Sequence, residues 1–385
     1  MNNWPTDVAT GSTLRCTVAP SALSSSLSLV SRAVSPRSTL PVLSNVLLET
    51  EKEGLRVTAT NLDLTISALV PATVLEEGRI TVPARLIAEY VASLEEPLCT
   101  MEVEARTQIL RLSSGAQRTN LHGIDAAEFP PLPAREAEPL LEVDAAQFQQ
   151  GVAQTSVAAS GDEQTPVLTG VLIQVEGSQL TLVATDRHRL AVKHLEVQPR
   201  QEGVPRVTAI VPARHLSEVA RAVNPGRPLI ALTFSPNRNQ VFFTLRDVEV
   251  SSRLIEGNYP NYSQVIPPQS ATTVVLPTAV LLKNARTASV LARDAANPVR
   301  LRAAVNELEI RAQTAEVGDH DAPIPAKVDG DEVQVAFNSR YLLDALQAID
   351  AEDVELGFNG PLQPAAVRPH QREDYLSVIM PVRVP

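Results

Sequence analysis

The stretch VLIQVEGSQLTLVAT, residues 171–185, decides the fold. Apolar residues alternate with others on both sides of Glu176-Gly177, the pattern of two strands joined by a tight turn. The same device recurs in VLLETEKEGLRVTAT, residues 46–60, and in VRLRAAVNELEIRAQT, residues 299–314, with Glu53-Gly54 and Val305-Asn306 at the turns. Upstream of each hairpin stands a short alternating strand followed by an amphipathic helix. These segments are LRCTVAPSALSSSLSLVSRAV (14–34), LLEVDAAQFQQGVAQTSVAAS (140–160) and TTVVLPTAVLLKNARTASVLA (272–292). Downstream comes a second helix, PARLIAEYVASL (83–94), PARHLSEVARAV (212–223) or NSRYLLDALQAI (338–349), and then a closing group of strands.

The landmarks keep register. Thr60, Thr185 and Thr314 are 125 and 129 residues apart, and Phe129-Pro-Pro and Tyr259-Pro-Asn are 130 apart. Self-similarity at a fixed period marks a repeated structural unit. The expected fold is therefore α+β, with three similar domains of two helices each, packed on one face of antiparallel strands. The boundaries fall at a tail of residues 1–12 and domains of 13–138, 139–268 and 269–385. In the first helix Leu23, Leu27, Val30 and Val34 recur at three- and four-residue steps and face a core. Pro83 and Pro212 are expected at first helical positions, where the missing N–H has no intrahelical partner in any case.

Composition narrows the function. The 385 residues carry 44 acidic and 33 basic groups, a net charge of −11, which argues against a surface that grips nucleic acid everywhere. Only four of the basic residues are lysines, so arginine dominates, and it clusters on the helices. Lys283, Arg286 and Arg293 fall within an arc of about 80° on one helix. Arg214 and Arg221, seven apart, share a face of another. Arg85 and Arg340 hold matching early positions of second helices, while Arg32 and Arg37 close the first. A basic lining beneath an acidic exterior is the arrangement these positions suggest. Two cysteines, Cys16 and Cys99, make neither a disulfide framework nor a CxxC motif and read as half-buried reduced thiols. No run of 18 apolar residues predicts a membrane span, and residues 1–12 lack the basic start and apolar core of a secretory signal. Aromatic residues, at 3%, are too scarce for base-stacking platforms.

Three motifs complete the reading: Arg37-Ser-Thr-Leu-Pro-Val-Leu, Ala184-Thr-Asp-Arg-His-Arg-Leu-Ala and the ending Val378-Ile-Met-Pro-Val-Arg-Val. In this order, on a triple repeat of this length, they resemble the bacterial DNA polymerase III β-subunit family, the sliding clamps, from Leu14 to Val384. The resemblance implies a non-catalytic processivity factor without cofactor or metal, acting in the cytoplasm. It implies a head-to-tail homodimer closed around double-stranded DNA without sequence preference, its helices lining the hole. The lining would present Arg32, Arg37, Arg85, Arg214, Arg221, Lys283, Arg286, Arg293 and Arg340. The subunit contact would use Thr119 and Leu121 against Val290 and Leu291.

The resemblance further implies an apolar pocket that captures a short peptide from the polymerase III alpha subunit, the clamp loader and other proteins with a clamp-binding motif. Its wall would be Leu168, Thr185, His188, Arg189, Leu190, Pro260, Val265, Leu362, Pro364, Met380, Pro381 and Val382. Its rim would be Asn338, Tyr341, Val378, Ile379 and Arg383. Several positions depart from the enterobacterial pattern. Arg187 stands where glycine is usual, Gln264 where arginine is common, Ala296 where an aromatic can occur, and Pro166-Val167 replace two tyrosines.

Two rival classes remain in view. An enzyme would use Asp186, His188 and Arg189 as an acid–base cluster, helped by Asp162 and Glu163. No phosphate loop, GxSxG elbow or HExxH spacing accompanies them, and the six histidines show no ligand spacing. A repeat scaffold for peptide partners that binds no DNA shares the repeats but has no need of a basic helix face.

Overall fold

The structure, a computed structural model, describes residues 13–35, 38–104, 107–200, 206–292, 297–314 and 318–383. Along the chain, one order of elements is run through three times. The first repeat holds β1 (Leu14–Val18), α1 (Pro20–Val30), β2 (Asn45–Glu51), β3 (Gly54–Thr60), β4 (Leu64–Val70), β5 (Ala72–Glu76) and β6 (Arg79–Pro83). It ends with α2 (Ala84–Ala92), β7 (Cys99–Glu104), β8 (Ile109–Ser114) and β9 (Gln117–His122). The second holds β10 (Leu141–Asp144), α3 (Ala145–Ser156), β11 (Gly170–Glu176), β12 (Gln179–Thr185), β13 (Arg189–Glu196), β14 (Gln198–Pro199) and β15 (Val207–Pro212). After it come α4 (Ala213–Ala222), β16 (Leu229–Phe234), β17 (Gln240–Leu245) and β18 (Val248–Arg253). The third holds β19 (Thr272–Pro277), α5 (Thr278–Leu291), β20 (Pro298–Ala304), β21 (Glu307–Thr314), β22 (Gly318–Pro325), β23 (Lys327–Asp329) and β24 (Val333–Asn338). It closes with α6 (Ser339–Gln347), β25 (Asp353–Phe358), β26 (Ala365–Pro369) and β27 (Tyr375–Ile379).

The three repeats are distributed over two compact units. One takes the chain up to Ala145 together with Arg221–Leu254; the other takes Ala146–Ala220 and Ile255 onward. In the first, β5-β1-β7-β8-β9 form one sheet and the run β10-β16-β17-β18-β4-β3-β2-β6 belongs to another. In the second, β15-β11-β12-β13-β27-β26-β25-β19-β23 form one sheet and β22-β21-β20-β24 another. The antiparallel sheets expected from the sequence are present, two in each unit, and one of each pair runs from one repeat into the next. The cause is long-range pairing: β4 lies antiparallel to β18, with Leu64 opposite Ser252, and β13 to β27, with Arg189 opposite Ile379. In both cases the fourth strand of one repeat pairs with the ninth strand of the next. That pattern leaves β9 and β22 at sheet edges.

The helices bury one stripe each. Leu23, Leu27 and Val30 of α1 are buried, and α1 packs on α2, which buries Ile87 and Val91. In the other unit α5 buries Leu281, Ala285 and Ala288 against α6, which buries Leu342, Ala345 and Leu346. Each large apolar side chain removed from water this way is worth about 1.5–3 kcal/mol. Val34 lies beyond α1, after a 3₁₀ turn at Ser31–Ala33, and is only half-buried. Pro83 and Pro212 are not first helical residues either: each ends a strand, opposite Asn45 and Gly170, with the helix beginning at the next residue. Their fixed φ suits the extended ladder as well as the helix start. Asn338 caps α6, its side chain accepting the Arg340 N–H. Cys16 and Cys99, expected half-buried, are fully buried on adjacent strands. Burial pushes the Cys16 thiol up to about 12.

Candidate functional site

The site begins at the turn between β12 and β13, whose sequence Thr185-Asp-Arg-His-Arg hydrogen-bonds to itself. Asp186 Oδ1 accepts the N–H groups of His188 and Arg189, both at 3.0 Å, and its Oδ2 accepts Arg189 Nε at 3.0 Å. The Thr185 hydroxyl donates to the Arg189 carbonyl at 2.7 Å and accepts the Arg187 N–H at 3.2 Å. Short polar side chains close turns in this way by standing in for backbone groups. The price is a left-handed residue at the apex, Arg187, with φ of +76°.

Arg189 is 9% exposed and bridges Asp186 to Asp344 of α6, its guanidinium 4.5 Å above the Tyr341 ring. A charge so enclosed is stable only with partners of this kind. His188 lies outside, its ring stacked on Tyr341 at 6.4 Å and 15°. Its carbonyl accepts the Met380 N–H at 2.9 Å, which extends the β13–β27 ladder past the end of β27.

Beside this turn lies a cavity of about 530 Å³. Apolar groups dominate its lining: Pro166, Val167, Leu168, Leu190, Pro260, Tyr262, Val265, Val378 and Met380. Thr165, Thr185, Asn258 and Asn261 supply neutral polar groups, and Arg187 and Arg189 the only charges. Beneath it Leu172, Val183, Val192 and Ile210 form the core on which the segment from Ile255 to Ile266 rests. Two phenols fasten that segment to the sheet. Tyr262 donates to Gln174 Oε1 at 2.8 Å, and Tyr259 to the Val183 carbonyl at 3.4 Å. Burial raises the Tyr259 phenol far above its ordinary value, so it stays a neutral donor. At Gly257, φ +136°, an added Cβ would stand 2.8 Å from Val167 Cγ2, so only glycine lets the segment approach here.

Of the residues expected at a peptide pocket, Leu168, Thr185, Arg189, Leu190, Pro260, Val265, Val378 and Met380 line this cavity. His188, Asn338, Tyr341, Leu362, Pro364, Ile379, Pro381, Val382 and Arg383 do not. Strand alternation gives the reason for Ile379: next to Val378, it faces the other side of the sheet and is buried there. Asn338 is occupied as a helix cap, Tyr341 lies under Arg189, and Val382 continues the chain with its N–H on the Ala336 carbonyl at 2.8 Å. Thr165, Pro166, Val167, Arg187, Asn258, Asn261 and Tyr262 line the cavity without having been expected there. The signals were the polar-aromatic run from Asn258 to Tyr262 and the departures at Pro166, Val167 and Arg187. Gln264 is exposed and outside the lining; Ala296 lies outside the described residues.

The acid–base reading of the turn fails on geometry. Both oxygens of Asp186 are committed to its own turn, and His188 stacks on Tyr341 rather than approaching a carboxylate. Among the described residues no three His, Cys, Asp or Glu side chains form a group that could hold a metal ion.

Arg32, Arg85, Arg214, Arg221, Lys283, Arg286 and Arg340 are all exposed, on helices or the turn that follows one. Arg85 pairs with Glu89 at 2.7 Å. Arg37 and Arg293 lie outside the described residues; α5 itself ends at Leu291. Thr119 and Leu121 sit half-buried on the edge strand β9, while Val290 is 59% exposed beside Leu291 at the end of α5. No helix among the described residues is long and apolar enough to cross a membrane.

Comparison with known proteins covers nearly the whole chain. The family model for the N-terminal domain of the DNA polymerase III beta subunit matches residues 14–133, that for its central domain residues 142–261, and that for its C-terminal domain residues 263–383. A beta sliding clamp from Synechocystis sp. is 36% identical over 380 residues, covering 94% of this chain and 97% of that protein. The crystal structure of a DNA polymerase sliding clamp from Bacillus subtilis superposes with a TM-score of 0.92 at 29% identity, covering 97% of this chain and all of that one. A Pseudomonas aeruginosa sliding clamp bound to griselimycin gives 0.89 at 29% identity, covering 96% of this chain and 100% of that one.

Proposed function

Because the chain belongs to the DNA polymerase III beta-subunit family, the non-catalytic sliding clamps of bacterial replication, we propose that two copies close head to tail around duplex DNA. The observation that carries this is the strand pattern. Fourth strand meets ninth strand at both junctions between repeats, β4 with β18 and β13 with β27. Carried one step further, β22 of one copy pairs with β9 of the next, and two copies satisfy both pairs of edges. Thr119 and Leu121 then meet the partner near Val290 and Leu291.

Function follows from topology. A closed ring leaves DNA only by opening or by reaching an end, so strong phosphate contacts are unnecessary and would slow sliding. A few exposed cations on the helices, Arg32, Arg85, Arg214, Arg221, Lys283, Arg286 and Arg340, joined by Arg37 and Arg293, suit that task on a chain of net charge −11. The cavity beside the β12–β13 turn takes the anchoring peptide of the polymerase III alpha subunit, the clamp loader and repair proteins. Its size and mostly apolar lining with a few placed polar groups fit such a ligand. Leu168, Leu190, Val265, Val378 and Met380 are the anchoring surface, with His188, Asn338, Tyr341, Leu362, Pro364, Pro381, Val382 and Arg383 as its expected surroundings, and Ile379 supporting the strand from its other face. The protein works in the cytoplasm, where chromosome replication takes place.

The test loads the protein onto nicked circular DNA and then linearises half the sample. Retention on circles with rapid loss from linear ends is expected; equal lifetimes would mean surface binding and would overturn the ring.

A further inference from the structure

The lining of the cavity contains two cations and no carboxylate. Arg189 is neutralised, held between Asp186 and Asp344 and covered by Tyr341. Arg187 is not. Its guanidinium makes no hydrogen bond or ion pair among the described residues, while its backbone N–H is fixed to the Thr185 hydroxyl. The nearby carboxylates do not answer it. Asp186 spends both oxygens on the turn, Asp162 accepts the Gln164 N–H in the loop leading to Thr165, and Glu163 and Glu256 are exposed and outside the lining. Arg187 also holds φ +76°, a conformation in which glycine, asparagine or aspartate would sit with less strain. An exposed arginine that lines an apolar cavity from a fixed backbone position, with no counter-charge among the described residues, selects for an occupant that brings the missing charge.

We propose that Arg187 is a specificity determinant, and that the peptides this clamp prefers carry an aspartate or glutamate beside their apolar anchors. This rests on reading the cavity as the peptide site. The turn fixes the Arg187 backbone within the β12–β13 connection, so the side chain reaches over the cavity from one place. The preference should therefore appear at one peptide position rather than as general attraction to negative charge.

The test uses fluorescein-labelled hexapeptides with leucine and phenylalanine anchors, carrying Asp, Asn or Lys at each remaining position in turn. They are titrated by fluorescence anisotropy against the wild-type protein, Arg187→Asn, Arg187→Asp and Met380→Ala. Asn and Asp tolerate left-handed backbone, so both Arg187 variants keep the turn, as far-UV circular dichroism will verify. At one position the Asp peptide should bind wild type about 2–5-fold tighter than its Asn twin, the range of a solvent-accessible ion pair, and less so at high salt. That ratio should fall to one in Arg187→Asn, and Arg187→Asp should prefer the Lys peptide. If Asp and Asn peptides bind wild type equally at every position, yet Met380→Ala weakens both, the peptide site stands and the role of Arg187 is refuted. If no hexapeptide binds at all, both readings fall.

Discussion

Replacing Asp374 by asparagine tests the strand pair that carries the cavity. Lys193 of β13 is only 4% exposed, and its ammonium is paired with Asp374 just before β27. Arg372 grips the same carboxylate at 3.0 and 2.8 Å and reaches on to Asp350 at 3.0 Å. Burial pushes the Asp374 carboxyl up, but the hydrogen bonds and charges of Arg372 and Lys193 outweigh it and hold the group down at about 2, from 3.8. That difference corresponds to about 2 kcal/mol of stability at neutral pH, and since 34% of the side chain meets water, screening reduces it to about 1 kcal/mol. Asparagine also strands a buried ammonium, so the full loss at pH 7 should be about 2–3 kcal/mol. The pH dependence has a definite sign. A lowered folded-state value means the contribution is complete above about 4, falls to about half by pH 3 and is gone below about 2. Urea titrations followed by far-UV circular dichroism at pH 7, 5 and 3 measure it. The gap between wild type and Asp374→Asn should be constant from pH 7 to 5 and narrow by pH 3. The double variant Lys193→Met, Asp374→Asn should recover part of the loss. Equal stability of wild type and Asp374→Asn at pH 7, or a gap unchanged down to pH 3, would refute the reasoning.

Three further outcomes are expected. Val290→Asp or Leu291→Asp should convert a dimer near twice 41.4 kDa into monomers in light scattering, because a carboxylate would be buried unpaired at the proposed subunit contact. Reversing Arg214, Arg221 and Arg286 together to glutamate should impair loading or retention on circular DNA, without creating any base preference in competition assays. Deleting residues 380–385 removes the Met380 wall of the cavity and the hydrogen bonds to His188 and Ala336. The truncated protein should still dimerise but lose the polymerase peptide, and Met380→Ala alone should weaken that peptide about tenfold.

Much of the architecture was legible where the information is local. The three hairpins announce themselves because period-two alternation meets Gly54, Gly177 or Asn306 at the turn, and Gly177 and Asn306 do hold left-handed φ. Leu23, Leu27 and Val30 likewise reveal a buried helix stripe. What the sequence does not carry is the partner of a strand. Nothing in Leu64–Val70 says that it will lie against Val248–Arg253, and so the pairing between repeats was not foreseen. Pro83 was misplaced by one position because strand end and helix start both accept its φ. At the site, the motif around Thr185 and the ending near Met380 located Thr185, Arg189, Leu190, Val378 and Met380 of the lining. Tyr262, Asn258 and Asn261 escaped, since only the fastening of that segment to Gln174 and Val183 turns them toward the cavity. Arg187 was visible as an oddity, but its lack of a counter-charge is a property of three dimensions.

The rule that joins fourth strand to ninth has an arithmetic of its own. It is indifferent to whether the next repeat belongs to the same polypeptide. A shortened chain lacking residues 139–268, with β4 free to meet β27, would still end in one unpaired ninth strand and one unpaired fourth strand, β9 and β22. In the proposed ring, six repeats would then come from three chains instead of two, giving a trimer with the same number of junctions. On that proposal, repeat number per chain sets the subunit count, while the geometry of one junction sets the size of the ring.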